Sequence, residues 1–150
     1  PAVLGQSVAN LSKVYSEKGL SYKQKMSLKI GPDYDFFQFI NNTVKESESL
    51  TLPPWQLPWR HTGDLNYVRG FIFPRRITNG SLDTATDYII LTSETEDGYT
   101  ADNSLWPSYP VRAQSIIIYN FADHSSQTYY QNYDPKDWQG KSPWGLIKIR

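Results

Sequence analysis

Apolar residues in this chain change their spacing at about Glu48, and that change limits the folds open to it. Before it, Tyr34, Phe37, Ile40 and Val44 recur at helical intervals, Phe36 widens the stripe, and Asp33 stands where an N-cap would. A shorter helix is expected from Ser21 to just before Gly31-Pro32, with Tyr22 and Met26 on one face. Another is expected around Val8, Leu11, Val14 and Tyr15, stopped by Gly19. After Glu48 the apolar residues gather into short continuous runs. Asp87 to Ser93 (DYIILTS) and Ser115 to Phe121 (SIIIYNF) read as central strands covered on both faces.

The remaining strand signals are weaker. Ser49 to Pro53 reads as a short strand, Gln127 to Tyr133 as an outer strand, and Gly145 to Arg150 (GLIKIR) as an edge strand. Asp64 to Phe73 fits two patterns: Leu65, Val68 and Ile72 at helical spacing, or a strand through GFIF. Helices first and strands later, with one βαβ crossover within residues 49–92, predict a mixed α/β fold. N-terminal helices would pack on a mixed sheet of about five strands, with α+β as the alternative. A chain of 150 residues fits one domain, and a domain of that size buries roughly 70% of its unfolded surface.

Composition excludes more than it assigns. The chain has no cysteine, which removes disulfides, thiolate nucleophiles and Cys-ligated metal. Fifteen basic and fifteen acidic residues cancel, so nucleic acid is not an expected partner. The charges are uneven in place: five Lys against Glu17 in residues 1–31, and six acids without a base in residues 83–102. Neither histidine has a metal-ligand partner at helical spacing, and the acidic run from Glu94 to Asp102 lacks the spacing of a calcium loop, so no metal or cofactor is expected. Asp123-His124-Ser125 sets out triad residue types side by side, where they cannot converge, and reads as a turn.

The stretch from Leu52 to Arg76 concentrates four of ten prolines, two of five tryptophans and four of six arginines. Arginine forks hold carboxylate or phosphate and stack on rings, and aromatic faces stack on sugars. Trp55, Trp59, Arg60, His61, Tyr67, Arg69 and Arg75 are therefore the expected ligand-binding residues, for a glycan or an anionic small molecule. No residue is assigned a catalytic role. Two other readings remain open: an enzyme of envelope carbohydrate metabolism, such as the soluble part of a membrane glycosyltransferase, or a structural assembly domain. The enzyme would need an acid such as Asp64, Asp97 or Asp102 in the same groove.

Four segments together carry a resemblance: KIGPDYDFFQFINNTV (29–44), LTLPP (50–54), NYVRGFIFPRR (66–76) and DYIILTS (87–93). Their arrangement resembles that of soluble extracytoplasmic domains in uncharacterised multi-pass bacterial membrane proteins. Gly31, Tyr34, Phe36, Phe39 and Ile40 match a G-x-x-Y-x-F-x-x-F-I element, and Phe73-Pro74-Arg75 stands where those domains carry Tyr-Pro-Arg. Phe73 departs from the pattern by one hydroxyl. The resemblance implies that residues 1–150 are a single domain cut from a longer membrane-attached chain, in keeping with the start at Pro1. It also implies an extracytoplasmic location, with a cytoplasmic one as the alternative, and a parent membrane protein as partner. The expected function is non-enzymatic binding of a ligand or partner, with cell-envelope glycan as the candidate.

Overall fold

The computed structural model describes residues 19–56, 58–59, 61–94 and 105–150. The chain divides into two compact units, residues 1–34 and 35–150. In the first, α1 spans Tyr22–Ile30 and starts where the sequence predicts. The Ser21 hydroxyl accepts from the Gln24 amide, and the Gln24 side chain accepts from the Ser21 amide, a reciprocal pair that satisfies two donors at the helix start. The helix ends at Gly31, whose φ of 83° favours glycine and whose amide donates to the Ser27 carbonyl. The expected helix around Val8–Tyr15 lies outside the described residues.

Helix α2 spans Pro32–Thr43 and begins two residues earlier than a cap at Asp33 would set it. Proline is preorganised for the first helical position, so Asp33 falls inside the first turn instead of capping it. Phe36, Phe37, Phe39, Ile40 and Val44 are all buried along one side of it. They form a single apolar cluster with Leu50, Leu52, Val68, Ile72, Tyr88, Ile90 and Leu146.

A six-stranded sheet follows, with spatial order β2-β1-β3-β6-β4-β5. Strand β1 (Ser49–Leu52) pairs in parallel with β2 (Arg76–Asn79) on one side and β3 (Tyr88–Leu91) on the other. Helix α3 (Leu65–Ile72) connects β1 to β2, which realises the expected βαβ crossover. It also decides the ambiguous segment as helix: Asp64 accepts from the amides of Asn66 and Tyr67, and Val68 and Ile72 point into the core. The remaining elements are β4 (Ser115–Tyr119), β5 (Ser126–Tyr129), the short helix α4 (Pro135–Trp138) and β6 (Gly145–Lys148).

Two strand expectations change. The GLIKIR strand is not an edge: β6 runs antiparallel between β3 and β4. Its adjacent residues Leu146 and Ile147 are both fully buried, one in the core cluster of each sheet face, as a central strand requires. Lys148 ends the strand, so the polar alternation lies at its margin. The sheet also gains β2, whose RITN sequence buries only Ile77, because an edge strand needs no second covered face. β5 takes the opposite edge, as expected of an outer strand, although it starts at Ser126 and stops at Tyr129.

The two faces of the sheet alternate residue by residue. Tyr88 and Ile90 face the α2–α3 side, whereas Ile89 and Leu91 join Val111, Ile116, Tyr133, Trp138 and Ile147 on the other. Among the described residues no helix is long and apolar enough to cross a membrane.

Candidate ligand-binding surface at the carboxyl ends of the parallel strands

The chain leaves β1 for β2 on one side and then returns to β3 on the other. In open α/β sheets the space beyond the carboxyl ends of such strands is the usual ligand site, because loops leave in opposite directions and open a crevice. Here that edge is occupied by the proline- and tryptophan-rich segment between Leu52 and Asp64.

This segment is fastened at several points. The Gly80 amide donates to the Leu52 carbonyl at 2.9 Å. The Asn79 side-chain amide spans both ends of the loop, donating to Pro53 O at 3.1 Å and Gly63 O at 2.8 Å. Within it, Gln56 N donates to Pro54 O, Trp59 N to Gln56 O and Gly63 N to Trp59 O. At Gly63 a Cβ would stand 2.6 Å from the carbonyl oxygens of both Pro54 and Trp59, so only glycine lets the loop close on itself.

Glu94, three residues beyond β3, supplies the strongest fastening. One carboxylate oxygen accepts from the His61 amide at 2.8 Å. The other accepts from the Thr62 amide at 2.9 Å and the Thr62 hydroxyl at 2.6 Å. The carboxylate is buried, and charge-assisted bonds of this kind are about twice as strong as neutral ones. Sequence reasoning placed Glu94 in an acidic, cation-loop-like run. Its partners are main-chain donors of a loop about thirty residues away, a separation that no local pattern encodes.

The seven expected binding residues are not brought to one place. Trp59 is 6% exposed and sets its ring edge-on to Trp106, 5.7 Å between centroids, under the loop. Trp55, in the same loop, is 80% exposed. The His61 side chain is 57% exposed, with Nδ1 3.8 Å from Glu94 Oε1 and its ring 5.4 Å from that of Tyr67. Tyr67 is half-buried on α3, against Phe37 and Phe71. Arg69 is exposed farther along the same helix. Arg60 lies outside the described residues.

Arg75 is a structural cation. Its guanidinium makes five hydrogen bonds: Nε to Val44 O, one terminal nitrogen to Asn41 Oδ1 and Ile72 O, the other to Asn41 O and Val44 O. These carbonyls lie at or just past the C-terminal ends of α2 and α3, where helix dipoles favour a positive charge. All five N–H donors are engaged, so none is left to hold a ligand. Arg75 therefore meets none of the six acids of residues 83–102, whereas its neighbour meets the first of them. Arg76 pairs with Asp83 at 2.9 Å.

Of the acids of the enzyme alternative, only Asp64 is described, at the end of this loop. Asp64 is spent as the α3 cap, and Asp97 and Asp102 lie outside the described residues. Among the described residues no three His, Asp or Glu side chains gather as a metal site would require. The Asp123–Ser125 run is a turn: Asp123 accepts from the Ser125 amide and hydroxyl, His124 has φ 58°, and its Nδ1 meets the Tyr119 hydroxyl at 2.7 Å.

No protein-family model, curated protein or solved structure matches the chain.

Proposed function

We propose that this chain is a non-enzymatic binding domain. Its ligand surface is the loop at the carboxyl ends of β1 and β3, and a cell-envelope glycan is the ligand class. One observation carries the reading. A loop tied down at Leu52, Pro53, His61, Thr62 and Gly63 displays Trp55 with 80% of its surface exposed. Leaving a large ring in water is unfavourable, and a well-fastened loop that does so presents a rigid anchor whose ordering cost is already met before binding. An indole face suits the apolar C–H face of a sugar ring. His61, exposed beside Tyr67, adds a polar group on the same loop.

An extracytoplasmic location on a bacterial membrane protein accords with such a ligand and rests on the sequence resemblance. The glycosyltransferase alternative is disfavoured at Asp64, whose Oδ1 accepts from two amides as the cap of α3. The test is a glycan array probed with the domain and with Trp55→Ala. Because Trp55 is exposed, the variant should fold normally and lose binding by about tenfold or more, as aromatic anchors typically do. An unchanged binding profile would sink the proposal.

A further inference from the structure

A second exposed feature lies on α3. Helix geometry places Asn66, Arg69, Gly70 and Phe73 along one stripe, and all four are exposed. The stripe carries one cation and no carboxylate. Three of its properties are unexplained by folding. Phe73 is 76% exposed at the helix end. Gly70 sits inside the helix, where glycine is the least favourable residue after proline, yet an added Cβ would meet nothing within 4 Å. Neither packing nor backbone conformation therefore calls for glycine there. And among the described residues no hydrogen bond or ion pair engages the Arg69 guanidinium, a state it shares with exposed Arg112 but not with Arg75, Arg76 and Arg150.

We infer that Arg69, Gly70 and Phe73 form a subsite for a carboxylated sugar. Arg69 and Phe73 are one turn apart, joined through the Phe73 amide and the Arg69 carbonyl, so their side chains share a face. The absent side chain at Gly70 leaves a shallow gap beside them. A pyranose acid lays its C–H face on the Phe73 ring, fills the gap over Gly70, and presents its carboxylate to the Arg69 fork, spanning about one helical pitch of 5.4 Å. The size of the stripe selects this occupant over a protein. A face from Asn66 to Phe73 is about 12 Å long and about 10 Å wide. That is far below the ~800 Å² per partner of a stable protein interface.

The inference rests on the glycan reading for the class of ligand, but not on the Trp55 loop, which lies beyond the opposite end of α3. The test is amide NMR of the whole domain titrated with oligogalacturonate, with the neutral galactose oligomer and with polyglutamate as controls. Oligogalacturonate should shift the amides of Asn66 to Phe73, and Arg69→Gln or Phe73→Ala should weaken binding about tenfold. Gly70→Ala should raise thermal stability while weakening binding, which a merely structural glycine would not do. Trp55→Ala should leave these shifts in place, so a failure at the loop and a failure here are told apart. Absence of shifts on α3, equal binding of the neutral oligomer or of polyglutamate, or full affinity in Gly70→Ala would each overturn the inference.

Discussion

At the scale of single residues, the charged groups that looked available for a ligand are divided between structural and free roles by their donors. Arg75 and Arg69 are equally arginine in the sequence, but Arg75 is 8% exposed and saturates the carbonyl ends of two helices. Arg75→Ala should strip bonds from Asn41, Val44 and Ile72 and lower the unfolding free energy by about 3 kcal/mol. Arg75→Lys should recover less than half of that, since an ammonium has three donors and no planar fork. Urea unfolding reads both, and a loss within ~0.5 kcal/mol for Arg75→Ala would contradict the structural role. Glu94→Gln is the matching test for the loop. The amide can still accept from one main-chain N–H, but its NH₂ then faces another donor. The expected cost is about 2 kcal/mol, together with a change in tryptophan fluorescence as Trp59 and Trp106 loosen. A variant as stable as the wild type would mean the loop does not depend on this carboxylate.

Among the elements, the most demanding position is the start of β6. A Cβ on Gly145 would run into the main-chain carbonyl oxygen of Ile117 on the neighbouring β4, which cannot move without breaking the ladder. Gly145→Ala should therefore destabilise by about 3 kcal/mol or prevent folding. Recovery of a soluble variant with an unchanged melting temperature would refute this close approach. Gly70→Ala, in open space on α3, should act in the opposite direction and stabilise by about 0.5–1 kcal/mol. The contrast separates a glycine required by its neighbours from one that the helix would do without.

Considering the whole molecule, tyrosines tie stability to alkaline pH. Burial raises the pKa of Tyr88, Tyr109, Tyr119 and Tyr133 above the ordinary phenol value. Tyr133 is raised furthest, and its hydroxyl donates to Pro107 O at 2.6 Å. Their phenols stay protonated in the folded state after the unfolded chain has begun to ionise at about pH 10. The unfolded state then binds fewer protons, so stability is complete below that pH and falls as pH rises through it. Urea unfolding across this range should show the decline. Tyr133→Phe should be less stable at neutral pH yet decline less steeply, and an identical slope would remove Tyr133 from the account.

What the sequence determined by itself was mostly local. The start of α1 at Ser21, the apolar stripe of α2 and the continuous runs of β3 and β4 rest on spacing and on contacts within a few residues, whereas the cap expected at Asp33 fell inside α2 and the cap at Asp64 emerged only with the fold. Mixed α/β architecture followed from those, because a change in apolar period dictates which element can bury its side chains. Strand order did not follow. Whether GLIK is an edge or a centre depends on what covers each face, and β3 and β4 supply that only after folding. RITN was overlooked for the converse reason, since an edge strand advertises itself with a single buried residue. The candidate surface divided along the same line. Sequence identified the Leu52–Arg76 stretch, but only tertiary structure buried Trp59 and Arg75, exposed Trp55, and set Glu94 against the loop amides. Exposure and the pairing of a charge are properties of three-dimensional neighbours, and residues more than thirty positions apart become neighbours only when the chain closes.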